Sequence, residues 1–271
     1  MLKNNKALGQ HWLYNREVLD YIAELAKMGM SAEEATDFGE GSGASNDEEI
    51  KTCLEIGPGL GTLTAALLRC FEKVTAVEFD ERLARNLPGS FPGKNLEVIN
   101  ADFLKFDLSS VVGPYVIAGN IPYYITSPII EKILTARNQP KRAVLLMQKE
   151  VAERIVSEKE TVLSLFCKNY ADVYMGMVVK KEEFTPPPKV DSAVLLLEPH
   201  APVVPERVFS VIRLGFAAPR KKLKHNLGLA WPEVDFGRVL DELEISADAR
   251  PADLKLTDWG KLTEILDKKD R

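Results

Sequence analysis

The 271-residue sequence predicts an α/β fold, in which a mostly parallel, seven-stranded sheet is covered by helices and is followed by a small all-helical C-terminal domain. Short, nearly continuous apolar strands alternate with helical segments up to about residue 200, a pattern typical of strands buried between two helical layers. Beyond that point only helical periodicity remains, after a linker with Pro202 and Pro205. We therefore predict two domains, residues 1–200 and 201–271.

The spacing of apolar residues predicts the individual elements in order. A first helix is expected over 16–27, and residues 30–51, rich in Gly, Ser, Asp and Glu, are expected to be a flexible acidic insertion. The predicted strands are 52–57, 73–78, 96–100, 115–119 and 142–148, with a closing pair at 173–179 and 193–197. The predicted helices are 60–71, 81–87, 127–136, 150–155 and 162–169, then 206–216, 221–229, 236–243 and 258–266.

The composition excludes several classes of protein. The net charge is −5, but residues 31–50 carry seven acids and no Lys or Arg, so removing those seven negative charges leaves +2. The negative net charge therefore does not exclude a basic surface formed by other residues. No apolar run approaches the roughly 18–20 residues of a membrane span. Three widely spaced cysteines suggest neither a disulfide framework nor a metal site, and they favour a reducing cytoplasm.

A glycine-rich turn follows the first predicted strand of the sheet. Gly57, Gly59 and Gly61 would allow a tight turn and a close approach of the backbone to a ligand. Glu78 ends the next strand about 20 residues later, where a ribose-binding carboxylate belongs. The alternatives are a plain tight turn for the glycines and a solvated charge at a strand end for Glu78.

The third and fourth strands also end in polar residues, Asp102 and Asn120. Four such strand ends would meet at the carboxyl edge of the sheet, where open α/β sheets bind ligands. In Asn120-Ile121-Pro122-Tyr123, the Asn oxygen and a carbonyl at or before Pro122 could accept the hydrogens of a nucleobase amino group. Tyr123 offers a flat face for an extruded base. A proline-containing strand-to-helix turn is the alternative.

Two further motifs lie downstream. Phe184-Thr185-Pro186-Pro187-Pro188-Lys189-Val190-Asp191-Ser192 is expected to hold Phe184 on a stiff arm over the other face of the base, or else to be a hairpin loop with a core phenylalanine. Arg220-Lys221-Lys222-Leu223-Lys224-His225-Asn226 is basic. We expect Lys221 and Lys224 to share a helix face that contacts phosphates, with a merely solvated face as the alternative.

In this ordered set the chain resembles the small-subunit ribosomal RNA adenine N6,N6-dimethyltransferases, beginning at Leu8-Gly9-Gln10-His11-Trp12-Leu13 and continuing through the motifs above. The resemblance implies a Rossmann-like S-adenosylmethionine-dependent methyltransferase sheet with a helical RNA-binding domain. It implies cofactor binding by His11, Leu13, Gly57, Gly59, Glu78, Asp102 and Asn120, catalytic roles for Asn120, Pro122, Tyr123 and Phe184, and RNA binding by Arg220, Lys221, Lys222 and Lys224.

The implied function is dimethylation of two adjacent adenines in a 3′-terminal hairpin of small-subunit ribosomal RNA, with a role in subunit biogenesis. The expected partners are that RNA and the immature small subunit. The expected protein is a cytoplasmic monomer that uses neither a metal nor a membrane. Three alternatives stay open: a large-subunit methyltransferase of the macrolide-resistance type, a DNA adenine methyltransferase, and a non-catalytic ribosome-assembly factor.

Overall fold

The computed structural model describes residues 10–29 and 50–269. Leu8 and Gly9 of the first motif lie outside these residues, as does the predicted insertion except for Ile50 and Lys51. The chain divides into two compact units: unit 1 comprises Met1–Ala152 and Asp172–Pro199, and unit 2 comprises Glu153–Ala171 and His200–Arg271. The segment Glu153–Ala171 precedes the predicted boundary, yet it belongs to unit 2 because Leu165 is buried in that unit's core.

The described part of unit 1 contains a seven-stranded sheet and a two-stranded ribbon. The strands in chain order are β1 (Trp12–Leu13), β2 (Thr52–Ile56), β3 (Lys73–Glu78), β4 (Leu96–Asn100), β5 (Tyr115–Asn120), β6 (Ala143–Gln148), β7 (Ala171–Val179), β8 (Phe184–Thr185) and β9 (Ser192–Pro199). The sheet order is β4-β3-β2-β5-β6-β9-β7. Strands β2 to β6 are parallel, and β9 is antiparallel to β6. The predicted fold class is confirmed.

Helices flank this sheet because each has one apolar face. They are α1 (Arg16–Met28), α2 (Thr62–Cys70), α3 (Glu81–Asn86) and α4 (Thr126–Leu134), while α5 (Lys149–Val156) begins in unit 1 after β6 and ends in unit 2. Helix α1 begins at Asn15, whose side chain accepts a hydrogen bond from Val18 N. Its buried face packs against α2 and over β5 and β6, in a core that includes Ile22, Leu67 and Val116. Leu19 and Ile22 of α1 also line a cavity at the carboxyl edge of the parallel strands.

The carboxyl ends of four neighbouring strands lie side by side. Ile56 pairs with both Val77 and Gly119, and Glu78 pairs with Asn100. The residues that follow these strands therefore converge at one edge, as the alternation of strands and helices predicts.

The ribbon of β1 and β8 was not predicted. Trp12 pairs with Thr185 and Leu13 with Phe184, in antiparallel register. It brings the N-terminal motif next to the proline-rich segment, although the two are more than 170 residues apart in sequence.

Unit 2 is helical in its described residues. Its helices are α6 (Val162–Tyr170), α7 (Val208–Gly215), α8 (Leu223–Ala230), α9 (Phe236–Glu242) and α10 (Leu256–Lys269), packed around a core with Phe209, Leu240 and Trp259. Among all the residues that the structure describes, no helix has both the length and the apolarity needed to cross a bilayer.

The helix predicted over 221–229 begins later than expected, so the prediction that Lys221 and Lys224 share a helix face is wrong. Lys222 is extended, with φ −61° and ψ 144°, and Lys221 precedes α8. A turn occupies this part of the chain, because Lys221 N donates to Ala218 O at 2.9 Å. The side-chain amide of Asn226 also donates to Gly215 O at 2.5 Å and to Ala218 O at 3.0 Å.

Candidate active site

A cavity of about 290 Å³ lies at the carboxyl edge of β2 to β5 in unit 1. The structure brings nine of the predicted residues together in its lining: His11, Leu13, Gly57, Gly59, Glu78, Asp102, Asn120, Pro122 and Tyr123. Phe184 is not part of this lining. The cavity is therefore built from the strand ends and the N-terminal motif.

The glycine turn forms one wall of the cavity. Gly57 and Gly59 have φ values of +62° and +58°, a backbone region that favours glycine. Among the described residues, a Cβ on Gly57 would meet no other atom within 4 Å, whereas a Cβ on Gly59 would lie 3.3 Å from the Trp12 indole. Glycine at 57 thus leaves open space above the turn, and glycine at 59 admits the indole ring.

The carboxylate of Glu78 is held by backbone N–H groups on both oxygens. Gly59 N donates to Oε2 at 3.0 Å, and Asp80 N donates to Oε1 at 2.8 Å. The side chain is only 5% exposed. Burial raises the pKa of Glu78, while the two hydrogen bonds oppose that rise. Each carboxylate oxygen has a further lone pair, so both can also accept from a ligand.

Glu55 is a second buried carboxyl in the lining, and the sequence reasoning missed it. It is 1% exposed, and burial raises its pKa to about 8. Thr64 Oγ1 donates to its Oε2 at 2.6 Å. An acid inside an otherwise apolar strand was the available signal.

Asp102 shapes the turn after β4. Its Oδ1 accepts from Leu104 N at 2.9 Å, and its backbone oxygen accepts from Lys105 N and Phe106 N. Asp102 lines the cavity as well as forming this turn, so the turn does not prevent the predicted ligand contact.

The orientation of the Asn120 amide follows from its partner. Its Nδ2 donates to the backbone oxygen of His11 at 2.8 Å. Because a carbonyl oxygen can only accept, the NH₂ end must face His11, and Oδ1 is left for another group. The carbonyl of Pro122 accepts from Ile125 N at 3.2 Å and keeps a second lone pair.

The ring of Tyr123 is held at its edge and lies beside a second ring. Its hydroxyl and Ser192 Oγ are 2.7 Å apart, and burial raises its pKa. The rings of His11 and Tyr123 are nearly parallel, at 16°, with centroids 6.1 Å apart. The aromatic neighbour of Tyr123 is therefore His11.

Phe184 lies instead in the hydrophobic core of unit 1. It is 2% exposed and is paired with Leu13 through the ribbon of β1 and β8. This burial fits the alternative of a core phenylalanine, and the stacking role stays a prediction. Its position depends on long-range pairing that two-residue strands do not reveal in sequence.

The predicted RNA-binding cluster is on the surface of unit 2. Arg220, Lys221, Lys222 and Lys224 are all exposed. Lys222 Nζ contacts Asp248 Oδ1 at 2.6 Å, and this hydrogen bond lowers the pKa of Asp248. Exposed ion pairs contribute little to stability, and RNA binding by this cluster stays a prediction.

Within residues 10–29 and 50–269, no three His, Cys, Asp or Glu side chains lie together as a metal-binding group would require. Carboxylates, amide groups and aromatic rings line the cavity together with many aliphatic side chains.

The sheet and the cavity define an S-adenosylmethionine-dependent methyltransferase with a Rossmann-like fold. The family model "Ribosomal RNA adenine dimethylase" matches residues 1–268. The chain therefore belongs to the ribosomal RNA adenine dimethylase family.

Individual relatives agree with this assignment. The chain is 34% identical to "Ribosomal RNA small subunit methyltransferase A" of Nostoc sp., over 98% of this chain and 99% of the relative. It is 36% identical to the Synechocystis sp. protein of the same name, over 96% and 95%. Among solved structures, a dimethyladenosine transferase from Plasmodium falciparum matches with TM-score 0.73 and 28% identity, covering 96% of this chain and 98% of that one. The 23S rRNA methyltransferase ErmE matches with TM-score 0.71 and 28% identity, covering 94% and 99%.

The residues of the cavity fit the cofactor of this family. The open space above Gly57 leaves room for a ligand against the turn, and the fixed carboxylate of Glu78 suits a pair of hydroxyl groups. Trp12 Nε1 is buried in the wall and has no hydrogen-bond partner among the described residues. The cavity thus offers the Glu78 carboxylate as an acceptor, Trp12 Nε1 as a donor, and space for a ligand against the backbone at Gly57.

Proposed function

We propose that this enzyme methylates N6 of two adjacent adenines in a 3′-terminal hairpin of small-subunit ribosomal RNA, and that it thereby contributes to small-subunit biogenesis. The names of the curated relatives support the small subunit as the target. The observation that carries the chemical part of the proposal is the oriented amide of Asn120 at the cavity wall.

The proposed cofactor-binding residues would each contact a different part of S-adenosylmethionine. Gly57 and Gly59 would contact the amino-acid part, Glu78 would accept from the ribose hydroxyls, and Asp102 would bind the adenine. His11 and Leu13 would flank the ligand. S-adenosylmethionine supplies an electrophilic methyl group on a positively charged sulfur.

Asn120 would make the target nitrogen reactive. The amino nitrogen of adenine is a poor nucleophile because its lone pair is delocalised into the ring. Asn120 Oδ1 and the free lone pair of the Pro122 carbonyl can each accept one N6 hydrogen, which favours a pyramidal nitrogen. Fixed acceptors of this kind lower the barrier because they need no reorganisation.

Tyr123 would hold the extruded base by stacking on it. Base–aromatic stacking is worth about 1–3 kcal/mol per base. The ring is fixed at its hydroxyl by Ser192 and lies parallel to His11, so it presents a defined flat surface. No general base is needed, because the N6 proton becomes acidic once the nitrogen has gained the methyl group.

The exposed cluster of Arg220, Lys221, Lys222 and Lys224 would position the enzyme on folded RNA. Phosphate contacts fix register and orientation, which a single flipped base cannot supply. We propose that the protein acts as a cytoplasmic monomer on the immature small subunit.

A large-subunit target is the main rival, because the 23S rRNA methyltransferase ErmE has a similar structure. The higher identity to small-subunit relatives over almost the whole chain favours the small subunit. An assembly factor without activity would not need the oriented amide of Asn120.

Replacement of Asn120 tests the chemical proposal. We expect Asn120→Ala to reduce labelled-methyl transfer to RNA by about 100-fold, as loss of a preorganised polar group typically does. Nucleoside analysis should identify N6,N6-dimethyladenosine from the wild type, and affinity for S-adenosylhomocysteine should change much less than turnover. Near wild-type transfer by the variant would contradict the role of Asn120.

A further inference from the structure

We infer that Ser192 is a positioning residue for methyl transfer, because its buried hydroxyl holds the phenol of Tyr123 at the cavity wall. This inference rests on the proposed stacking of the target adenine on Tyr123.

The contact is short, and its serine end is fully buried. Ser192 Oγ and the Tyr123 hydroxyl oxygen are 2.7 Å apart, and Ser192 is 0% exposed. Either hydroxyl can donate to the other. Since buried polar groups need partners, the bond fixes where the phenol edge lies.

The serine itself sits on a rigid part of the sheet. It is the first residue of β9 and pairs with Gln148 at the end of β6. The preceding Asp191 accepts from Lys149 N at 3.0 Å through its backbone oxygen, and its carboxylate accepts from Lys181 N at 3.1 Å. The hydroxyl of Ser192 is thus a fixed point rather than part of a mobile loop.

The same proline-rich segment also holds the neighbouring ring. His11 Nδ1 lies 2.7 Å from Pro186 O, and because that oxygen can only accept, Nδ1 is the donor. The segment 186–192 therefore contacts the polar edges of both parallel rings. Pro186 and Ser192 thus hold two rings of the cavity lining, while Phe184, which precedes the segment, packs in the core.

A fixed ring matters because transfer requires the base nitrogen to lie close to and in line with the methyl group. A displacement of about 1 Å in a reacting group can cost 100-fold in rate. We expect Ser192→Ala to reduce kcat about tenfold and to leave S-adenosylhomocysteine affinity within about twofold. Ser192→Thr, which keeps the hydroxyl, should recover most of the lost kcat.

A double-mutant cycle tests the inference. Wild type, Ser192→Ala, Tyr123→Phe and the double variant are compared for kcat, KM for immature small subunits and S-adenosylhomocysteine affinity. Tyr123→Phe keeps the stacking ring but loses the hydroxyl, so the double variant should be about as slow as either single one. If the double variant lost kcat by the product of the two single-variant factors, the inference would be overturned.

A matched control separates positioning from a general loss of stability. Ser164 of unit 2 is also 0% exposed, and its hydroxyl bonds only to Glu160 and Thr161 among the described residues, with its Oγ 2.6 Å from Glu160 Oε2, so Ser164→Ala removes an equally buried hydroxyl that takes no part in this contact. It should leave kcat unchanged. Parallel losses of kcat and cofactor affinity in Ser192→Ala would show a structural role alone and would also overturn the inference.

The ¹³Cζ chemical shift of Tyr123, assigned with Tyr123→Phe, measures the contact without any activity. It should move in Ser192→Ala and return in Ser192→Thr. Absence of methyl transfer by the wild type would refute the proposed function, whereas an unchanged ¹³Cζ shift would refute the contact itself.

Discussion

Replacing Glu55 with glutamine should make unit 1 more stable and remove much of the pH dependence of its stability. Glu55 is almost fully buried, and burial raises its pKa to about 8. An unfolded glutamate titrates near pH 4.3. A carboxyl whose pKa is raised in the folded state favours folding while it is protonated. Its stabilising contribution is therefore complete below about pH 4.3 and is lost as the pH rises towards 8.

The magnitude follows from the two pKa values. One pKa unit corresponds to about 1.4 kcal/mol, so full ionisation costs the folded state about 5 kcal/mol. Between pH 5 and pH 7 the loss should be about 2.5 kcal/mol. Glutamine has nearly the same shape, and its side-chain oxygen can still accept from Thr64 Oγ1. Because glutamine does not ionise, Glu55→Gln should not show this loss of stability between pH 5 and pH 7.

Urea unfolding between pH 5 and pH 8.5, without cofactor, provides the assay. Hydrogen exchange read at peptides from β2 reports on unit 1 by itself. Glu131→Gln, an exposed substitution on α4, is the control and should keep the wild-type pH slope. Equal slopes for wild type and Glu55→Gln would refute the assignment of a raised pKa to Glu55.

Three further predictions concern the cofactor, the core and the RNA. Glu78→Ala should weaken S-adenosylhomocysteine binding at least tenfold by calorimetry, because each charge-assisted bond is worth about 1.5–3 kcal/mol; unchanged affinity would remove Glu78 from the site. Phe184→Ala should lower the free energy of unfolding by about 3–5 kcal/mol, since the ring is buried; unchanged stability with lost transfer would restore the stacking role. Replacing Lys221 and Lys224 together with neutral residues should reduce the slope of log K against log salt concentration for subunit binding by the equivalent of about two phosphate contacts, with cofactor affinity unchanged. Equal slopes and equal affinities for wild type and variant would show that the cluster is only a solvated face.

The carboxyl-edge site could be predicted because its members follow consecutive parallel strands. Such strand ends must meet at one edge whatever the details of packing, so Gly57, Glu78, Asp102 and Asn120 came together as expected. The helical C-terminal segment could be predicted for a similar reason, since its apolar spacing is local in sequence.

The contacts that depend on distant parts of the chain could not be predicted in the same way. The ribbon of β1 and β8 joins two-residue strands, too short for a periodic signal, and its pairing buries Phe184. The bond between Ser192 and Tyr123 depends on β9 lying next to β6. The helix α8 starts after a turn closed by Lys221 N and Ala218 O, and this turn overrides the helical spacing that includes Lys221.

The proposed target is tested most directly by adding labelled S-adenosylmethionine and the enzyme to immature small subunits, mature small subunits and large subunits in parallel. We expect label in immature small subunits alone, recovered as N6,N6-dimethyladenosine at two adjacent positions of the 3′-terminal hairpin. Label recovered in large-subunit RNA would contradict the proposed target and favour the macrolide-resistance type of activity, and no label in any RNA would contradict the proposed function as a whole.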